Sequence, residues 1–372
     1  MMGMDVLLTI LSAVVVLGFL VFIHEGGHFL AARAFGVRVT EFMLGLPGPY
    51  IGIKRGETTF GVTPILLGGY ARVCGMEPGE MSPHLQAAMT SVYARGTALM
   101  EDVAQDCGIT PDDAYKALEE LVEWGTITGP KKTDEYNMYR TPEVKPTRRQ
   151  LRAAAKAGTT IQEHAEGVPC PLADPSEAFR SEYGKQYRSL PFWKRTVILI
   201  AGPGVNLLFA ILAFVLIYSV IGVDVQNATT GEVTHVTVSP LRAIEVGFVY
   251  IGMVIQAVAS LFNPQTAADT VSQSTSIVGI AVMSKNAFSA SLVDGVFFTA
   301  MISVSLGIMN MLPIPPLDGG RFVIEVYQRI RRKVVSMRAV NYMSWAGIAL
   351  FMVFFIVMMN QDIQRFIFGN WS

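Results

Sequence analysis

Four stretches of the chain, Val6–Ile23, Thr196–Val223, Val296–Leu317 and Val340–Met359, are apolar and uncharged over lengths that suit a bilayer crossing, which takes about 20 residues. A fifth run, Val246–Asn263, is borderline. The first lacks a basic start and a small-residue cleavage site, so it reads as a retained helix rather than a removable leader. Between the first and second runs the pattern changes. Short apolar runs such as "YIGI" and "FGVTPILL" are punctuated by Gly45, Gly48, Gly52, Gly56, Gly61, Gly68 and Gly69, the signature of strands and turns.

Residues 77–190 follow neither pattern. "GTALMEDVAQDCGITPDDAYKALEELVEWGTITG" predicts a helix near 97–107, a turn at Gly108, a second helix starting at Pro111 and running to about Trp124, and a stop at Gly125. "TITGPKKTDEYNMYR" then reads as a short hairpin, so that residues 84–142 or so look like a winged helix. DNA binding does not follow. The second helix carries Asp112, Asp113, Glu119, Glu120 and Glu123 against Lys116 alone, and an acidic face repels phosphate. Protein docking or structural packing is the expectation for this insertion.

Composition supports the membrane reading: 51% of the 372 residues are apolar and 16% charged, outside the range of ordinary soluble domains. The net charge of -1 is uninformative, but its placement is not. Arg33, Arg38, Lys185, Arg188, Lys194, Arg195 and the Arg321–Arg338 cluster flank alternate ends of the four runs, and cytoplasmic flanks collect Lys and Arg. Four spans result, with both termini outside and residues 36–195 inside. Cys74, Cys107 and Cys170 all fall on the inner side, where thiols stay reduced.

Chemistry enters at the end of the first run. His24-Glu25-Gly26-Gly27-His28 is an HExxH pattern, and a spacing of four stacks both imidazoles on one helix face, where they can share a metal ion. Glu25, one step round, is placed as a general base. Ionisable groups in a membrane span are costly and default to function. Two adjacent glycines weaken the helix, and give another segment room to come close to the metal. A catalytic zinc takes three protein ligands and keeps one open position. "NMLPIPPLDGGR", residues 310–321, ends the third run with Asp318 on the same inner side, and its prolines break the helix there.

With these blocks, "FMLGLPGPYIGIKRGETTFGVTPILLGGYARVCGM" at 42–76 and "AGPGVN" at 201–206, the chain resembles the site-2 protease family of intramembrane zinc metalloproteases, including the bacterial regulator-of-sigma-factor proteases. The resemblance covers about half the chain. It implies one zinc ion held by His24, His28 and Asp318, Glu25 as the catalytic base, and Asn310 holding the substrate strand, with Gly68, Gly69 and Tyr70 also against substrate. It implies that block 42–76 is a membrane re-entrant β-hairpin region, whose edge could pair with an unwound substrate helix. The fold expectation is an α-helical polytopic membrane protein with four transmembrane helices, that re-entrant β region and a winged-helix-like α+β insertion. The domain limits are 1–76, 77–190, 191–223, 224–293 and 294–372. The partners are transmembrane protein substrates, the lipid bilayer and a protein for the insertion, in a bacterial inner membrane.

Bacterial members of that family usually carry one or two PDZ domains between the second and third spans. Residues 224–245 are too short for one, and Thr229–Pro240 reads as its remnant, with His235 an ordinary surface residue. Val246–Asn263 is expected to lie along or dip into the outer leaflet, because a crossing there would carry Asp318 to the wrong side. His84 and His164 are expected at the surface. A catalytically silent scaffold that binds membrane helices is the alternative, and intact Glu25 argues against it. A zinc transporter or tethered regulator is less well supported, since the runs hold few polar groups and the wing only Lys131 and Lys132.

Overall fold

The computed structural model describes residues 2–66, 68–77, 79–134, 136–145, 148–156, 158, 163–226 and 231–369. Helix α1 (Met2–Ala34) has 33 residues. At 1.5 Å per residue it is about 50 Å long, well beyond the ~30 Å of membrane hydrocarbon. Val6, Leu7, Ile10 and Val15 are exposed, whereas Ala13, Val16, Leu20, His24, His28 and Ala32 are buried. The buried positions recur every three or four residues and form one stripe. Both histidines therefore lie on the stripe that faces the rest of the protein.

The glycine-punctuated block folds into a four-stranded sheet of β1 (Val39–Leu44), β2 (Ile51–Arg55), β3 (Thr58–Val62) and β4 (Gly69–Val73), in the order β2-β3-β1-β4. This is more than the expected hairpin. β2 and β3 do form one, turning at Gly56, but β1 runs parallel to β3 and antiparallel to β4. Phe42 of the sheet packs on Phe22 and Phe29 of α1, and Phe60 on Phe29, at centroid distances of 5.5–5.7 Å. Aromatic contact thus fixes the sheet against the helix end, and leaves β4 as a free edge beside it.

The insertion has its own core. Helix α2 (Leu85–Arg95), strand β5 (Thr97–Leu99), helices α3 (Met100–Cys107) and α4 (Pro111–Glu123) and strand β6 (Met138–Arg140) enclose Leu85, Met89, Val92, Leu118, Leu121, Trp124 and Tyr139. Thr110 caps α4 by accepting from Asp113 N–H, and β5 pairs with β6, which bridges to Thr128. His84 and His164 are partly exposed rather than fully at the surface. Beyond α5 (Arg148–Lys156), α6 (Pro175–Gly184) returns to the end of α1. There buried Arg38 donates to the Trp124 carbonyl at 2.9 Å, to Glu182 at 2.7 Å and to Glu57 at 2.8 Å. Burial opposes its charge, but Glu182 and Glu57 outweigh burial and hold its pKa above the ordinary value. One arginine thereby joins the end of α1, the β2–β3 turn and the insertion.

The membrane core follows from small residues. Helix α7 (Phe192–Val215), continued by Leu216–Ile221, runs antiparallel to α1, with Phe19 against Phe209 and Phe35 against Trp193. After the hairpin of β7 (Val223–Gln226) and β8 (Val233–Val236) come α8 (Pro240–Ser260), α9 (Ala267–Gln273), α10 (Ile277–Ala290) and α11 (Leu292–Asn310). Gly307 of α11 sits against Pro203 and Leu207 of α7. Helix α12 (Asp318–Arg331) leads to α13 (Met337–Asp362), where Gly347 is in contact with the Pro315 carbonyl. At the far end, Asp362 accepts from Ser276 and Gly279 N–H at the start of α10, and Lys285 pairs with Asp5. The start of α1, the end of α13 and the start of α11 thus gather around α10.

Among the described residues, five helices are long and apolar enough to cross a membrane: Met4–Ala34, Phe192–Ile221, Pro240–Ser260, Leu292–Asn310 and Met337–Phe366. Four were expected, with the fifth run borderline. It is longer than its uncharged stretch because Ser239 caps and Pro240 opens a helix that carries Arg242 and Glu245 in its first turns. The third span stops at Asn310, as Pro313 cannot continue a helix, and Met311–Leu317 is a loop. Thr229 and Thr230 of the expected PDZ remnant lie outside the described residues, and the rest contributes exposed β8.

Candidate metal centre and active site

Why His24 and His28 sit where they do is decided by two glycines on facing helices. A Cβ on Gly27 would come within 2.4 Å of the Ala201 carbonyl oxygen, and one on Gly202 within 2.2 Å of His28 Nε2. Neither position has room for alanine. Gly26, by contrast, has nothing within 4 Å, so of the adjacent pair only Gly27 permits close approach. The small residues of "AGPGVN" were the visible signal for that contact; its partner could not be read from the chain.

Asp318 arrives from a different direction. Gly319 and Gly320 pack on the backbone of Met311, Leu312, Ile314 and Pro315, which folds the loop back on the start of α12. Asp318 Oδ2 then lies 3.1 Å from His24 Nε2 and 3.2 Å from His28 Nε2, with the two nitrogens 3.4 Å apart. Residues separated by about 290 positions meet in one cluster of three metal-ligating atoms. Four tetrahedral bonds of ~2.0–2.1 Å place neighbouring donors about 3.3 Å apart. The observed spacings fit a zinc-sized ion bound by two imidazoles and a carboxylate, with a fourth position to spare.

Both histidines are 6% exposed, and their outer nitrogens are engaged by α7. His28 Nδ1 is 2.7 Å from the Ile198 carbonyl, and His24 Nδ1 is 3.3 Å from the Asn206 amide. These partners were not anticipated from the sequence, because they depend on the register of two helices. Orientation of ligating imidazoles by such contacts is the usual companion of a metal site.

Glu25 faces the sheet. Its Oε2 accepts from Ala71 N–H of β4 at 2.9 Å, and Gly69 has no Cβ to keep the strand from Val21 and Glu25. Gly68 accepts from Gly45 N–H through its carbonyl, and Tyr70 donates its hydroxyl to Glu41. Of the residues expected against substrate, Gly69 is therefore beside Glu25, while Tyr70 is tied to the sheet. Asn310, at the end of α11, donates its side-chain amide to the Leu306 carbonyl of its own helix. A cavity of about 880 Å³ opens along β4, lined by Tyr70, Ala71, Arg72, Arg188, Arg321 and Glu325 among others. Polar side chains there give water a way toward the strand edge.

A family model described as peptidase family M50 matches residues 12–354. The regulator of sigma-W protease RasP of Bacillus subtilis (strain 168) is 22% identical over 436 positions, covering 96% of this chain and 98% of the relative. The zinc metalloprotease RasP of Geobacillus kaustophilus is 24% identical, with 97% and 99% covered, and the putative zinc metalloprotease Cj1068 of Campylobacter jejuni is 26% identical, with 96% and 94% covered. The matched range, residues 12–354, extends well beyond the motif blocks and into the last helix. The chain belongs to peptidase family M50, the site-2 proteases, and is a zinc metalloprotease.

Proposed function

We propose that His24, His28 and Asp318 hold one zinc ion, that Glu25 is the general base, and that the enzyme hydrolyses peptide bonds within membrane-spanning segments of anchored substrates. The observation that carries this reading is the 3.1–3.4 Å triangle of donor atoms formed by two histidines on the buried stripe of a membrane-length helix and Asp318 at the start of α12. Zinc, when bound, supplies a Lewis acid that polarises the scissile carbonyl and makes water acidic near neutral pH. Glu25 takes the proton from the attacking water and returns it to the leaving amine. Its neighbour Ala71 belongs to the free edge of β4, where an extended substrate segment can add as a further strand. Gly68 and Gly69 keep that edge slim, Tyr70 steadies it through Glu41, and Asn310 holds the substrate strand from the other side. A helix must unwind to be cut, since its carbonyls are otherwise engaged in internal hydrogen bonds.

The same proposal orients the chain. α1, α7, α11 and α13 cross the bilayer, with both termini outside and the insertion inside, in a bacterial inner membrane. α8 lies in the outer leaflet. Val238 N–H bonds the Tyr218 carbonyl near its start, Ser260 at its end meets Thr270 of α9, and Arg365 past α13 donates to the Ser272 carbonyl. These contacts support placing both ends of α8 on the outer side. Residues 84–142 are read as winged-helix-like, a docking module for a protein rather than for nucleic acid. Since a relative is named a regulator of sigma-W protease, anti-sigma factors are the first substrates to try. The test is cleavage of a single-span reporter by purified protein in detergent or vesicles. Cutting inside the span, abolished by Glu25→Gln, supports the reading; cleavage that survives Glu25→Gln refutes it.

A further inference from the structure

Asn206, whose amide lies beside His24, is fully buried where α1, α7 and α11 meet. Its main-chain carbonyl accepts from Ser303 Oγ at 2.9 Å. Its side chain shows two linked features. Nδ2 lies 3.3 Å from His24 Nδ1, and Oδ1 is buried with no hydrogen-bond partner among the described residues.

The chemistry of His24 decides what it needs from that neighbour. Its Nε2 faces Asp318 and His28, so Nε2 must present the lone pair to a metal. A neutral imidazole with a lone pair on Nε2 carries its proton on Nδ1. Nδ1–H is a donor and cannot be met by the amide N–H of Asn206. A half-turn of the amide exchanges two atoms of nearly equal size. Oδ1 then accepts from Nδ1–H and the donor–donor contact is removed, while the amide nitrogen takes the place that Oδ1 leaves. His28 has the equivalent arrangement from the same helix, with the Ile198 carbonyl 2.7 Å from its Nδ1.

We infer that Asn206 is a positioning residue for His24: its Oδ1 holds the Nδ1 proton, and so fixes the tautomer and ring rotation that direct Nε2 to zinc. The inference rests on His24 being a zinc ligand. The experiment separates the two by measuring zinc affinity, through competition with graded chelator, for wild type, Asn206→Leu, Asn206→Asp and His24→Ala, with the visible spectrum of cobalt-substituted protein as second readout. Asn206→Leu keeps volume but has no acceptor, and a 10- to 100-fold loss of zinc affinity with an altered cobalt spectrum is expected. Asn206→Asp keeps the acceptor and stays close to wild type in both. Should the leucine variant not fold, Asn206→Ala carries the same expectation. Wild-type affinity and spectrum in the acceptor-less variant would overturn the inference while leaving the ligand assignment standing. Equal losses in Asp and Leu would also overturn it, since an acceptor oxygen at this position would then not be what counts. Undiminished zinc binding by His24→Ala would overturn the ligand assignment, and the inference with it.

Discussion

Glu25 and Ala71 are joined by a hydrogen bond of 2.9 Å, from the backbone N–H of an edge strand to the carboxylate of the HExxH helix. The N–H points away from β1, toward the active site, so proline at position 71 removes no bond of the β1–β4 ladder. Ala71→Pro is expected to fold and bind zinc as wild type while losing most proteolysis of a membrane reporter. Metal content and cleavage rate, measured on one preparation, check both halves.

Glu25→Gln is expected to keep zinc and lose turnover by 10²-fold or more, the usual scale for removing a general base. Single-turnover assays at high enzyme concentration make the residual rate visible.

Helix contact sets a third expectation. Gly202→Ala would drive a methyl group into the His28 ring, and should lower zinc occupancy and melting temperature together. Gly26→Ala meets open space and should raise helix stability by up to about 1 kcal/mol with zinc unchanged. Parallel thermal melts with metal analysis distinguish them.

The sequence made these glycines visible but not their difference. Periodic histidines and the loop before Asp318 could be read because both are local patterns, and the family resemblance they carried holds over residues 12–354. Which glycine touches α7 depends on how two helices are rotated against each other, and no local pattern encodes that. Arg38 illustrates the same limit. It counted as one more inner-side positive charge, yet it is buried against Glu57 and Glu182, residues far along the chain. The parallel pairing of β1 with β3 was hidden for the same reason, whereas the β2–β3 turn at Gly56 was marked by its glycine. For α8, Ser239-Pro240 was a legible start, but Arg242 and Glu245 masked the helix that follows.

Breaking the Arg38 junction should loosen the insertion from the membrane core. Glu182→Gln leaves a buried guanidinium short of a partner, a change that costs about 3–5 kcal/mol in comparable pairs. Limited proteolysis is expected to release the insertion sooner in this variant, while zinc content stays the same.

Glu123 gives a pH dependence of definite sign. Burial, reinforced by Glu77, pushes its pKa up to about 7, above the ~4.3 of an unfolded chain. The folded state therefore holds the proton more tightly. Its contribution to stability is complete below about pH 4 and is lost as pH rises toward and through 7. Thermal melts between pH 5 and 8 should show a decline with pH in the insertion that Glu123→Gln flattens.

The most direct measurement is zinc per chain in detergent-purified wild type, His24→Ala and Asp318→Ala. About one zinc in wild type, lost in both variants, is predicted, because the three donor atoms converge within 3.4 Å from two distant parts of the chain. Equal metal in all three proteins would contradict the shared site.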